Sequence, residues 1–239
     1  MGESSSEQFS IGLNQVETVT GLLYPAAKPN RVGTTLLLAH GAGGNQLSGF
    51  MRLFAGGLAK RGFDIVTFNF SYSEKGRHSP DPKPKLESCY RAAIEAAQSH
   101  KKLKGNRLLI GGKSMGGRIA SQVAAIDFGS SPDRTDEIAG LVFLGYPLHP
   151  PGRPEQLRDQ HLKDVAAPML FLQGSRDAFG SAEEIRAVID RHHLPAMLYL
   201  IEGGDHSFKV LKRSPNPQPQ VYEAMMDEIV RWSQSFSAD

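Results

Sequence analysis

The sequence predicts an α/β fold, a mostly parallel twisted sheet with helices on both faces, and three observations predict it. Short apolar runs alternate along the chain with longer stretches of helical periodicity. The runs are continuously apolar rather than alternating, as strands covered on both faces require. At 239 residues the chain is long enough to bury a substantial core without dividing. Residues 1–239 are therefore read as one domain, with residues 1–8 as a flexible, polar start.

In order, the first element is a hairpin from Ser10 to Leu23, broken near Gly12-Leu13-Asn14. The first core strand is Thr34–Ala39, which runs into His40-Gly41-Ala42-Gly43-Gly44. Five more runs follow: Ile65–Phe68, Arg107–Ile110, Leu141–Leu144, Met169–Leu172 and Met197–Ile201. Helices are expected over Phe50–Lys60, Leu86–Ser99, Met115–Ala125, Ala182–Asp190 and Gln220–Ser233. The last of these repeats Val221, Ala224, Met225, Ile229 and Trp232 at helical spacing, a core stripe. The Pro-rich stretches Ser79–Pro84, Pro147–Pro154 and Ser214–Pro219 read as ordered loops.

Composition excludes several functions. A net charge of +2, with Lys and Arg scattered, gives no nucleic-acid surface. The single cysteine, Cys89, excludes an internal disulfide and a Cys-rich zinc site. No apolar run approaches the roughly 20 residues that span a bilayer, and the polar start carries no secretory pattern. A cytoplasmic protein without metal or cofactor is expected. Met1-Gly2-Glu3-Ser4-Ser5-Ser6 formally matches the N-myristoylation pattern, one that arises easily by chance.

The most informative segment is Leu108-Leu109-Ile110-Gly111-Gly112-Lys113-Ser114-Met115-Gly116-Gly117. Gly112-x-Ser114-x-Gly116 stands directly after a strand and directly before a helix, the context of a nucleophile elbow and of the α/β-hydrolase fold. Glycines there remove the Cβ atoms that would collide with so tight a turn. Ser114 is the candidate nucleophile, and a neutral hydroxyl needs a base. His206, in Gly203-Gly204-Asp205-His206, follows the final strand and is the candidate base. Asp177, in Gln173-Gly174-Ser175-Arg176-Asp177, ends the preceding strand and is the candidate carboxylate that fixes the imidazole. Taken singly, His206 is a surface loop residue and Asp177 a helix cap. Together, the order serine, aspartate, histidine is the one this fold uses. Asp205 and Glu202 are weaker candidates because they share the histidine's own loop. The backbone amides of Met115 and Ala42 are the candidate oxyanion donors, and His40 is expected to order the Ala42 loop.

Four segments carry a family resemblance: His40-Gly41-Ala42-Gly43, Gly111–Arg118, Leu144-Gly145-Tyr146-Pro147-Leu148-His149-Pro150-Pro151-Gly152 and Gln173–Asp177. They resemble the α/β-hydrolase family of testis-expressed protein 30, which includes the hydrolase-like domain of NSL complex subunit 3. Bacterial relatives are described as dienelactone-hydrolase-like. The resemblance implies the fold and the triad Ser114, Asp177 and His206, but no substrate. Dienelactone hydrolases proper use cysteine in the elbow, where this chain has Ser114.

The exit of the Leu141–Leu144 strand leaves no room for a large cap domain, so an open, shallow site is expected. Its walls are assigned to Tyr72–Lys85 and Tyr146–Pro151. Arg77, His78, Tyr146 and His149 are the candidate substrate contacts, and Arg77 suits a carboxylate or phosphate on the substrate. The bland alternative is that they brace Pro-rich loops. Two nucleotide-binding readings fail. A phosphate loop needs glycine where Arg107 stands, and a dinucleotide fingerprint needs it at Gln46. His192-His193 lacks metal-ligand spacing and reads as surface. The expected function is hydrolysis of an ester-like bond in a small molecule. The rival is a hydrolase fold kept as a protein-interaction module.

Overall fold

The computed structural model describes residues 6–127, 138–212 and 214–235. The N-acylation pattern at Gly2 lies outside them. Eight strands form one sheet in the order β1-β2-β4-β3-β5-β6-β7-β8. They are β1 Glu7–Gly12, β2 Thr18–Tyr24, β3 Thr34–Ala39, β4 Asp64–Phe68, β5 Arg107–Lys113, β6 Gly140–Leu144, β7 Met169–Gly174 and β8 Ala196–Ile201. The hairpin β1–β2 is antiparallel, and β2 joins β4 antiparallel. Every other pairing is parallel.

Among the described residues six α-helices accompany the strands: α1 Gly49–Lys60, α2 Ser71–Glu74, α3 Lys83–Ser99, α4 Met115–Asp127, α5 Ala182–His192 and α6 Gln218–Ser235. Alternation within the central strands feeds two cores. Leu37, Ala39, Ile110 and Phe171 pack with α3, α4 and α5, while Leu36, Leu38, Leu109 and Leu172 pack with α1 and α6. Both faces are therefore apolar, which is why the strands read as unbroken apolar runs.

Several boundaries differ from the sequence reading, each for a local reason. Glu7 and Gln8, expected in the flexible start, pair with Leu23 and Leu22. The hairpin turn follows them, closed by the Asn14 side chain accepting from Val16 and Glu17 amides at 3.0 and 2.9 Å. Helix α3 begins at Lys83, inside the stretch read as a loop, and α6 begins at Gln218. Pro84 and Pro219 sit in first turns, where a missing N–H costs nothing. The Tyr72–Lys85 wall is likewise part helix, since α2 covers Ser71–Glu74. His192 is not a surface residue: its ring bonds the fully buried Asp159 at 3.0 Å.

Strand β3 has β4 on one side and β5 on the other, and the chain changes direction there. Open parallel sheets bind ligands at such a switch, beyond the carboxyl ends of the strands. The loops leaving β3 and β5 are His40–Gly44 and Ser114. Between β6 and β7, residues 145–168 carry a single 3₁₀ turn, Leu162–Asp164, and no cap.

Candidate active site

Ser114 stands between β5 and α4 with φ +50°, a region that disfavours any side chain. Such strain costs about 1–3 kcal/mol and is held by its surroundings. Its amide donates to the Leu144 carbonyl at 3.0 Å, and its carbonyl accepts from Arg118 at 3.1 Å. The flanking glycines are forced by backbone contact. A Cβ on Gly112 would lie 2.6 Å from the Ala39 carbonyl oxygen, and one on Gly116 2.5 Å from the same atom. The elbow therefore fits only because β3 can press against it.

Three side chains from separate loops meet at this edge. His206 Nδ1 lies 2.8 Å from Asp177 Oδ2, and His206 Nε2 lies 2.8 Å from Ser114 Oγ. A carboxylate can only accept, so Nδ1 carries the proton and the Nε2 lone pair faces the serine hydroxyl. The Asp177 side chain is fully buried and the His206 side chain one-fifth exposed. Phe179 stacks over the imidazole with centroids 4.2 Å apart. Ser114, Asp177 and His206 thus meet at one edge of the sheet.

Asp177 is not the helix cap of the bland reading. Ser181 caps α5 in a capping box with Glu184. Asp177 Oδ1 instead accepts from the Phe179 amide at 2.8 Å, and Oδ2 from Gln173 Nε2 at 2.9 Å. Gln173 is fully buried at the end of β7 and was missed by the sequence reading. Its amide nitrogen also donates to the Gly180 carbonyl at 2.7 Å, and its oxygen accepts from the Tyr146 amide at 2.8 Å. The signal was available: one polar residue closing an apolar run, four places before Asp177.

The loop after β3 lies against the nucleophile. A Cβ on Gly41 would sit 3.5 Å from Ser114 Cβ, and Ala42 follows. Met115 opens α4, so its amide has no acceptor within the helix. These amides are the candidate oxyanion donors, at the positive end of the helix dipole. His40 orders the loop, as expected. Its Nε2 accepts from the Phe70 amide at 3.2 Å, so Nδ1 donates to the Gly41 carbonyl at 2.8 Å. Burial pulls its pKa down to about 4, and the ring stays neutral.

The other proposed contacts find different partners. Tyr146 is buried; its hydroxyl donates to the Arg158 carbonyl at 2.8 Å and its ring packs on Phe143 and Phe171. Burial drives its phenol pKa upward. His149 is also buried, bonded to the Pro150 carbonyl at 2.8 Å and to Glu184 at 3.2 Å. Arg77 pairs with Asp81 at 2.6 Å, and His78 is exposed. For Tyr146, His149 and Arg77 the bracing alternative fits, since each side chain is committed within the protein.

A pocket of about 340 Å³ runs beside Gly41, Ala42 and Lys113. A larger one, about 570 Å³, lies between β8 and α6; neither is lined by Ser114, Asp177 or His206, but the smaller adjoins Ser114 through Gly41 and Lys113. Chemistry favours the smaller. Among the described residues no group of three or more His, Cys, Asp or Glu side chains is arranged to hold a metal, and no helix is long and apolar enough to cross a membrane.

The switch-point crevice, the strained serine and the covered parallel sheet define an α/β-hydrolase fold. Residues 32–234 match the family model described as an alpha/beta hydrolase domain, and the chain belongs to that family. Solved structures agree in fold. An alpha-beta serine hydrolase homologue from Coxiella burnetii is 19% identical, with 94% of this chain and 96% of that one covered and a TM-score of 0.70. Dienelactone hydrolase from Anabaena variabilis is 20% identical over 98% and 99%, at 0.71. An esterase from Pyrococcus furiosus is 17% identical over 95% and 91%, at 0.72.

Proposed function

We propose that this protein is a carboxylesterase-like serine hydrolase that cleaves an ester-like bond of a small substrate. The observation that carries the reading is the unbroken chain from Ser114 Oγ through His206 to Asp177, with both links at 2.8 Å. His206 takes the Ser114 proton as the oxygen attacks the acyl carbon. Asp177 stabilises the imidazolium, and the Ala42 and Met115 amides hold the oxyanion. The imidazolium returns its proton to the departing alcohol. Water then adds to the acyl-enzyme by the same route, and the acid leaves. The Gly145–Pro151 block supports placement of the chain with the testis-expressed protein 30 type of this family.

The test is hydrolysis of a short p-nitrophenyl ester. Wild-type protein turns it over, and Ser114→Ala abolishes turnover while keeping the wild-type circular dichroism spectrum. A folded wild-type protein inert towards short- and medium-chain esters, thioesters and lactones contradicts the reading and supports the interaction-module alternative.

A further inference from the structure

We propose that the pocket beside the oxyanion loop binds a carboxylate carried by the acyl part of the substrate, with Lys113 as its counter-ion. The inference rests on the serine-hydrolase reading and narrows its substrate class to half-esters of short dicarboxylic acids. The pocket is lined by Gly41, Ala42, Phe50, Lys113, Lys209 and Tyr222 among others, and no Asp or Glu lines it. It lies beside the nucleophile: two of its lining residues, Gly41 and Lys113, adjoin Ser114, and a Cβ on Gly41 would lie 3.5 Å from Ser114 Cβ and 3.7 Å from Lys113 Cγ.

Lys113 is under-compensated. An ammonium has three donors. One reaches the His206 carbonyl, and the charge lies 5.1 Å from the centre of the Phe208 ring. No carboxylate among the described residues lies within ion-pair distance of it. The nearby acids are committed. Asp177 has both oxygens engaged, and Asp205 Oδ1 accepts from the Ser207 and Lys209 amides at 2.8 and 2.9 Å. Burial lowers the Lys113 pKa to about 8, with the charges of Asp177 and Asp205 opposing the fall. The other titratable groups around it are His40, His206, Tyr222 and the exposed Lys209, and none supplies a second anion. A half-buried cation this poorly matched gains from an incoming carboxylate. Phe50 and Tyr222, edge to face at 6.0 Å, give the chain apolar walls.

The experiment compares kcat/KM for p-nitrophenyl butyrate and mono-p-nitrophenyl glutarate in wild type, Lys113→Met, Lys113→Arg and Lys209→Ala. The ratio of the two substrates within each protein cancels any general effect on His206. Wild type should prefer the anionic ester about tenfold, mainly through KM, equivalent to about 1.4 kcal/mol. Lys113→Met should reverse the preference, Lys113→Arg should keep most of it, and Lys209→Ala should reduce it about twofold. The wild-type preference should fade above about pH 8 as the ammonium deprotonates, and persist there in Lys113→Arg. Glutarate should raise the melting temperature of Ser114→Ala. A folded Lys113→Met should show no such rise, and if that variant fails to fold, Lys113→Arg and the pH series decide. Equal use of both esters by wild type overturns the inference and leaves the esterase reading standing. Failure on both esters removes the reading itself, and the inference with it.

Discussion

The two ends of the site are built to different standards. At the Asp177 end every polar atom is answered from within: two donors meet Oδ2, an amide meets Oδ1, and Gln173 ties the acid to the loops at Tyr146 and Gly180. At the Lys113 end a half-buried ammonium has one carbonyl and one aromatic ring. On the proposed function, the contrast separates parts that must be rigid before substrate arrives from parts completed by it. An acid that orients a base has to be fixed in advance, because misplacement by about 1 Å can cost roughly 100-fold. A recognition cation left unpaired keeps its charge for the ligand.

Breaking the rigid end should have the largest effects. Asp177→Asn keeps the shape but removes the charge that stabilises imidazolium, and kcat should fall by up to about 10⁴-fold. Stopped-flow or steady-state assay of the p-nitrophenyl ester checks this; an unchanged rate shows that another acid serves, with Asp205 the first to examine. Gln173→Leu is the sharper probe, because Gln173 touches the acid and not the base. It should lower kcat about 10- to 100-fold at little change in KM. It should also lower stability by about 1–3 kcal/mol, since the Tyr146 amide and Gly180 carbonyl lose a buried partner. If stability falls and kcat does not, Gln173 supports the fold without positioning Asp177.

The smallest effect concerns pH. Burial holds two histidines neutral, with pKa values near 4 against about 6.5 in an unfolded chain: His40, and His161, which precedes the Leu162–Asp164 turn with its Nε2 2.8 Å from Ser121 Oγ. Between those values the unfolded state binds more protons, so stability falls as pH drops through that window and levels off below it. Thermal melts from pH 7 to pH 4 should show this decline, with a shallower slope in His161→Gln. An equal slope in that variant removes His161 from the account.

Much of this was legible in the sequence. Strands covered on both faces announce themselves as apolar runs. The elbow is legible because Gly112 and Gly116 are demanded by close backbone approach, and the order of Ser114, Asp177 and His206 reflects strand order. The failures have separate causes. Tyr146 and His149 follow a strand at the correct edge, yet position along the chain does not fix where a side chain turns, and theirs turn inward. The helix starts at Lys83 and Gln218 were missed because Pro84 and Pro219 read as loop although first turns accept proline. Gln173 and Lys113 depend on partners far away in sequence, Lys113 on His206 above all. The Gly-Gly-Lys-Ser string drew attention to Lys113 only as a failed nucleotide motif, not as a neighbour of the base.

The most direct test of the central claim is a fluorophosphonate probe followed by peptide mapping. It reads nucleophile activation without needing the natural substrate. The account predicts one adduct, on Ser114 Oγ, absent from Ser114→Ala and much slower to form in Asp177→Asn. A folded wild-type protein that stays unlabelled, or carries its adduct on another residue, would contradict it.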